Sequence, residues 1–289
     1  MKKNMKKILV CLLCVGLIAG LLAGCGGESA EEPAPAPPGE EQPDDGQAVA
    51  PTKIIVGVTP KPHGEILEVV QPLLAEQNID LEIKPFTDYV LLNPALKDKQ
   101  IDANFFQHVP YLEDYNSQNN ADLIWTVKVH AEPMGVYSKK IAALDELADN
   151  ARVGIPNDAT NGGRALAVLE NAGLITLREG AGITATDRDI DENPKNLKIQ
   201  MMDAPMLARA LDDLDLCVIN SNYAIEANLN PIEDSIFMEA KDTPFANVLA
   251  VRPEDKDNEA IVKLGEALQS PAVKQFLEDK YQGSCVPSF

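Results

Sequence analysis

Hydrophobic and polar positions follow three different rhythms along this chain. Lys2, Lys3, Lys6 and Lys7 precede an apolar or small-residue run over residues 8–23. Residues 26–52 are Gly, Glu, Pro, Ala, Gln and Asp with almost no large apolar side chain. From residue 53 onward, short apolar runs alternate with stretches of helical period.

In this last regime, residues 54–58 read as a buried strand. An amphipathic helix follows over 65–77, with Ile66, Val69, Val70, Leu73 and Leu74 on one side and Pro72 as a candidate kink. Residues 81–86 alternate as a second strand, 93–99 form a short helix, and 101–106, 123–129 and 134–137 are extended. The rhythm restarts at Arg152. Strands are predicted at 153–155, 197–202, 216–219 and 248–251, and helices at 162–171, 205–211, 259–269 and 272–281. Such alternation predicts an α/β protein with mostly parallel sheets, and the double start predicts two lobes.

The first two rhythms place the protein outside the cytoplasm. A basic stretch, an apolar run too short for a permanent span, and Leu22-Ala23-Gly24-Cys25 have the layout of a lipoprotein signal. Residues 1–24 are expected to be removed and Cys25 to be acylated. Residues 25–52 are expected to form a disordered, lipid-anchored tether of roughly 30 Å end-to-end distance.

Charge then narrows the partners. The formal net charge is −20, and loss of the four signal lysines takes it to −24. So acidic a chain repels nucleic acid and anionic lipid, and no basic cluster offsets this. Of five cysteines only Cys217 and Cys285 lie in the body, too few for a disulfide scaffold or a zinc pattern. The two could form one disulfide outside the cell, but Cys217 sits in an apolar run and reads rather as a buried free thiol.

Candidate chemistry gathers at strand ends, where open α/β sheets bind ligands. Asn157 to Arg164 reads as a turn entering a helix, with Asn or Thr as cap and paired glycines that let a ligand approach the backbone. Free N–H groups at that helix end and the planar fork of Arg164 suit a carboxylate; an ion pair within the protein is the competing role. Tyr89, Phe105, Phe106, His108 and Tyr111 form the main aromatic group, fit for a polarisable side chain, with Tyr111 assigned to the core. The three histidines, His63, His108 and His130, have no close spacing, so no metal is expected. No Gly-x-Ser-x-Gly or His-Glu-x-x-His string occurs, and neither an enzyme nor a cofactor is expected.

Eight ordered blocks resemble one family: VGVTPKPHGEILEVVQPLL, FTDYVLLNPAL, IDANFFQHVPYLEDYN, EPMGVYSKK, IPNDATNGGRAL, NPKNLKI, LDDLDLCVINSNYA and PFANVLAVR. These are similar to the substrate-binding lipoproteins of methionine ABC importers, the NlpA lipoprotein family, over essentially the whole body. The resemblance implies a two-lobed periplasmic-binding-protein fold (type 2-like), with two crossing segments and a ligand cleft. It places lobe 1 at 53–134 plus 245–289, lobe 2 at 135–244, and the crossings near Glu132–Gly135 and Thr243–Asn247.

The implied function is capture of L-methionine at the outer face of the cell membrane and delivery to a permease driven by an ATPase. The alternatives are another small ligand, such as a methionine-containing dipeptide or other apolar amino acid, and a non-transport surface lipoprotein. By position, the resemblance implies Arg164 and Asn161 for the ligand carboxylate and Asn220 and Asn247 for its amino-acid backbone. Tyr89, Phe105, Phe106 and His108 would surround its side chain. Ala159 stands where the family usually has proline, Lys61 and Gly64 alter its Gly-Pro-His-Ala stretch, and Met206 replaces a frequent polar residue.

Overall fold

A computed structural model describes residues 50–289; the signal, Cys25 and nearly all of the expected tether lie outside the described residues. Among the described residues, no helix is long and apolar enough to cross a membrane.

Seven elements come first: β1 (Thr52–Val58), α1 (Glu65–Ala75), β2 (Ile79–Pro85), α2 (Leu92–Lys97), β3 (Ala103–His108), α3 (Val109–Asn119) and β4 (Ile124–Ala131). The middle of the chain supplies β5 (Gly135–Tyr137), β6 (Arg152–Pro156), α4 (Ala159–Asn171), β7 (Thr176–Leu177), β8 (Ile190–Glu192) and β9 (Lys198–Met202). After these come α5 (Leu207–Ala210), β10 (Leu216–Ile219), α6 (Ser221–Glu226) and β11 (Ser235–Met238). β12 (Ala246–Val251), α7 (Glu259–Leu268), α8 (Pro271–Tyr281) and β13 (Val286–Pro287) close the chain.

Two main sheets result, in the orders β13-β4-β12-β3-β1-β2 and β11-β5-β10-β6-β9. The first draws only on residues 52–131 and 246–287, the second only on 135–238. The chain therefore passes between the sheets twice, at 132–134 and at 239–245. This is the two-lobed α/β architecture that the alternating pattern implies.

The sheets are mixed, which corrects the expectation of mostly parallel pairing. β1 pairs parallel with β2 and β3, and β6 with β9 and β10, as βαβ crossovers require. β12 runs antiparallel to β3 and β4, and β5 antiparallel to β10 and β11. β5 and β12 are the strands that directly follow the two passages, and each enters its sheet from the opposite end.

Each sheet is covered on both faces. Ile66, Val70 and Leu74 of α1 pack with Leu264 of α7 and Leu277 of α8 against one face of the first sheet. Leu166 and Leu169 of α4 cover one face of the second. Removing such side chains from water stabilises the fold by about 1.5–3 kcal/mol each. α1 continues through Pro72 instead of ending there. A further apolar cluster joins the lobes: Tyr89, Leu92 and Phe106 from the first pack with Tyr137, Leu207 and Tyr223 from the second. The side chains expected from the sequence to bind a ligand stand beside that junction.

Candidate binding site

Three strand ends meet between the lobes. β3 ends at His108, β6 leads through Asn157 into α4, and β10 ends at Ile219, one residue before Asn220, which caps α6. Around them lies a small cavity of about 20 Å³. Tyr89, Phe106, His108, Asn161, Arg164, Asn220 and Asn247 all line it. So seven of the eight ligand residues expected from the sequence converge on one space.

Phe105 does not. β3 lies between β12 and β1 and is buried along its whole length, so its side chains divide between two packed faces. Phe105 is fully buried in the core against β1 and α1, edge-on to His63 and His130. The NFFQH string is therefore the strand itself, not the loop after it. Tyr111 departs in the opposite sense, because it lines the cavity.

The approach to α4 also differs from expectation. The helix begins at Ala159, three residues early, and its cap is Asp158, whose Oδ1 accepts from the Asn161 N–H at 2.9 Å. The positive helix end is thus already matched to a carboxylate of the protein. Burial raises the Asp158 pKa against the hydrogen bonds from Asn161 and Thr160. Arg164 falls in the second turn, and its work is done by its own fork.

Arg164 is only 4% exposed. Its Nε and Nη2 donate to Glu239, with Nη2 at 2.5 Å from Oε2, and Nη2 also donates to the Glu132 carbonyl at 2.7 Å. The guanidinium lies over the Phe245 ring at 4.3 Å. Nη1 has no hydrogen-bond partner among the described residues. Met206, flagged as a departure, is 47% exposed and off the cavity wall.

Hydrogen bonds from one lobe to the other close the cavity. Tyr89 Oη donates to Asn222 Oδ1, and His108 Nε2 donates to Asn161 Oδ1 at 3.2 Å. Tyr89 also packs on Tyr223, with ring centroids 4.7 Å apart. Burial, reinforced by the nearby Arg164, pushes the His108 pKa down to about 3, so the ring is neutral at neutral pH.

Behind the cavity, His63 and His130 come together with Glu132, although 67 residues separate the two histidines in sequence. Each of the three offers one ligand atom within 4.8 Å of the others. His130 Nε2 is 2.8 Å from Glu132 Oε1, His63 Nε2 is 3.3 Å from the same oxygen, and Asn247 Nδ2 donates to it at 3.3 Å. Thr59 Oγ1 bonds His63 Nδ1 at 2.7 Å. Burial lowers the His63 pKa to about 4. Burial also works against the charge on Glu132, but His63, the His130 hydrogen bond and Arg164 together hold its carboxyl below the ordinary value.

Gln107, Glu132, Ser221 and Asn222 on the cavity wall, and the Arg164 partner Glu239, were not named individually from the sequence. Asn222 and Ser221 were legible only as part of the NSNY strand end. Glu132 could have been found from the EPMG crossing, where a carboxylate at a hinge is unusual enough to question.

The NlpA lipoprotein family model matches residues 54–289. Methionine-binding lipoprotein MetQ of Bacillus subtilis is 40% identical over 288 residues, covering 98% of this chain and 99% of that one. D-methionine-binding lipoprotein MetQ of Salmonella typhimurium is 43% identical over 239 residues, 82% of this chain and 88% of the relative. A nutrient-binding protein from Burkholderia cenocepacia, solved bound to methionine, superposes with a TM-score of 0.80 at 43% identity. That match covers 82% of this chain and all of the solved one (100%).

Proposed function

The chain belongs to the NlpA lipoprotein family, and from that membership we propose that it is the substrate-binding lipoprotein of an ABC importer, with L-methionine as its ligand. Arg164 carries this reading. It is a buried guanidinium aimed into a two-sided cavity whose other walls are amides and aromatic rings. The free Nη1 of Arg164 meets the ligand carboxylate, with Asn161 alongside. Asn220 and Asn247 hold the amino-acid backbone. Tyr89, Phe106 and His108 surround the thioether, which gains about 0.3–1.5 kcal/mol per aromatic contact. Phe105 supports that wall from behind.

Lobe 1 (53–134 plus 245–289) and lobe 2 (135–244) close on the ligand through the two crossings. The closed form is the one a permease recognises, so methionine must bind it better than the open form. The protein does no chemistry on its cargo. Lipid on Cys25 holds it at the outer face of the membrane, and residues 26–52 give the lobes reach toward a permease and its ATPase.

One observation favours a longer ligand as the second reading. Tyr111 is shared between the inner cavity and an outer cleft of about 580 Å³, enough for the second residue of a methionine-containing dipeptide.

Mass spectrometry of the small molecules released by denaturing the purified protein tests this. Near-stoichiometric methionine is the expected result, with calorimetric titration giving affinity. A released peptide moves the specificity to the second reading. No released ligand together with no heat on adding methionine overturns both.

A further inference from the structure

Spacing along the chain argues against a metal at His63 and His130, but the fold brings them to one carboxylate. His63 stands in the segment between β1 and α1, His130 lies near the end of β4, and Glu132 opens the first passage between the lobes. All three are buried, at 1%, 0% and 6% exposure.

Their spacing in the fold is that of a coordination shell. When ligand atoms sit about 2.0–2.1 Å from a tetrahedral ion, neighbouring ligand atoms are about 3.4 Å apart. Two imidazoles bound through Nε2 then have ring centres about 5 Å apart. Here His63 Nε2 and His130 Nε2 stand 3.3 and 2.8 Å from Glu132 Oε1, and the two ring centres are 5.1 Å apart. Only the His130–Glu132 pair has to open, by roughly 0.6 Å, to admit an ion.

His63 is also left unsatisfied. Its Nε2 has no hydrogen-bond partner among the described residues, although it faces the Glu132 carboxylate. Its Nδ1 is held by Thr59 Oγ1 at 2.7 Å. With the ring proton on Nδ1 and given to Thr59, the Nε2 lone pair points toward a carboxylate oxygen, two acceptors in a desolvated space. A cation between them replaces repulsion by coordination. A bond from the second ring nitrogen is what fixes the tautomer of metal-bound histidines, and Asn247 Nδ2 steadies Glu132 Oε1 in the same way.

We propose that His63, His130 and Glu132 bind a divalent transition-metal ion of the zinc class behind the ligand cavity. Two imidazoles and one carboxylate are a zinc donor set with a fourth position open, whereas magnesium and calcium take six or more ligands, mostly oxygen. Glu132 alone of the three lines the cavity, which gives the ion its way in. Once bound, the ion ties the β1–α1 segment to the first passage between the lobes. The site does not depend on which cargo the cavity holds.

The test is titration of the chelator-treated protein with zinc, and separately with cobalt(II), followed by gel filtration and metal analysis. The wild type is expected to retain one zinc and to gain melting temperature with it. His63→Asn and His130→Gln should each weaken zinc binding by roughly 100-fold or more, and Thr59→Val by roughly 10- to 100-fold. Cobalt(II) in the wild type should show the intense visible bands of a four-coordinate ion. A wild type that retains no zinc overturns the site. Equal retention by wild type and His63→Asn also overturns it, by placing the ion on the acidic surface. Should the histidine variants fail to fold, the cobalt spectrum of the wild type decides, and weak six-coordinate bands overturn the proposal.

Discussion

Arg164 and Glu239, 75 residues apart, form a two-pronged ion pair: Nε lies 3.1 and 3.2 Å from the two carboxylate oxygens, and Nη2 lies 2.5 Å from one of them. Arg164 belongs to α4 of the second lobe, and Glu239 begins the second passage between lobes. The Glu239 carboxylate also accepts from the Met134 N–H at 3.1 Å, which ties the first passage to the same pair. The guanidinium proposed to meet the ligand is therefore aimed by both passages between the lobes.

Arg164→Ala should lower methionine affinity by about 30-fold or more, since a desolvated carboxylate loses its charge partner (about 2–5 kcal/mol). It also leaves Glu239 unpaired, so the melting temperature should fall. Arg164→Lys should bind methionine weakly as well, because an ammonium cannot hold Glu239 and the ligand as one planar fork does. Titration calorimetry checks both. An affinity for methionine within twofold of wild type in Arg164→Ala would remove this residue from the site.

Asn247 pairs in register with His108 on one side and His130 on the other, and its Nδ2 reaches Glu132. Asn247→Ala is expected to weaken methionine binding by about tenfold, as for loss of a hydrogen bond to a charged group. Its melting temperature should move by only a few degrees. A fall of more than about 10 °C with affinity unchanged would make Asn247 a purely structural residue.

Glu226 gives the pH dependence a distinct sign. Burial raises its pKa to about 7, against hydrogen bonds from the Lys61 backbone and Asn222, with Glu132 adding to the rise and the Lys61 charge opposing it. A carboxyl raised in the folded state contributes stability that is complete below the ordinary value of 4.5 and is lost as pH climbs through about 7. Glu226→Gln keeps the neutral shape and should gain melting temperature relative to wild type between pH 5 and pH 8. A difference between the two proteins that stays constant over this range would contradict the assignment.

Gly163 is fixed by its neighbours. A Cβ there would stand 2.3 Å from the Ile183 carbonyl oxygen and 2.8 Å from the Ala185 nitrogen, both backbone atoms. Gly163→Ala must push this segment off α4, costing about 1–3 kcal/mol or more, and should lower the melting temperature by several degrees. Alanine at Gly162 meets one backbone carbonyl at 2.9 Å and should cost less. Thermal denaturation of the two variants side by side reads the difference.

Cys217 and Cys285 are both free and buried, and burial pushes the Cys217 thiol up to about 12. Thiolate is the reactive form, so neither should be modified by a thiol reagent in the native protein, and both should react once it unfolds. Rapid native labelling at either position would show that its packing opens.

Much of this was legible from residue order because it depends on local pattern. The strand at Ile54–Val58, the helix carrying Arg164 and the strand leading to Asn220 each announced themselves by periodicity, glycine placement or an apolar run. The doubled rhythm gave the two lobes. Strand direction was not legible, because β5 and β12 look like any short apolar run until the passages between lobes set how they enter. Phe105 and Phe106 are adjacent and chemically alike, and only the pleat of a strand buried on both faces sends one to the core and the other to the cavity.

The remaining site features arise from distance along the chain. Lys2 to Cys25, the acidic segment 26–52 and the eight family blocks are properties of sequence, and the blocks determined the family and the fold class. The Arg164–Glu239 pair and the His63–Glu132–His130 cluster were decided by tertiary structure alone. Periodicity records which residues share a face of one element, since that follows from 3.6 or 2 residues per repeat. It holds no record of which faces of different elements meet, and that is where each charge found its partner.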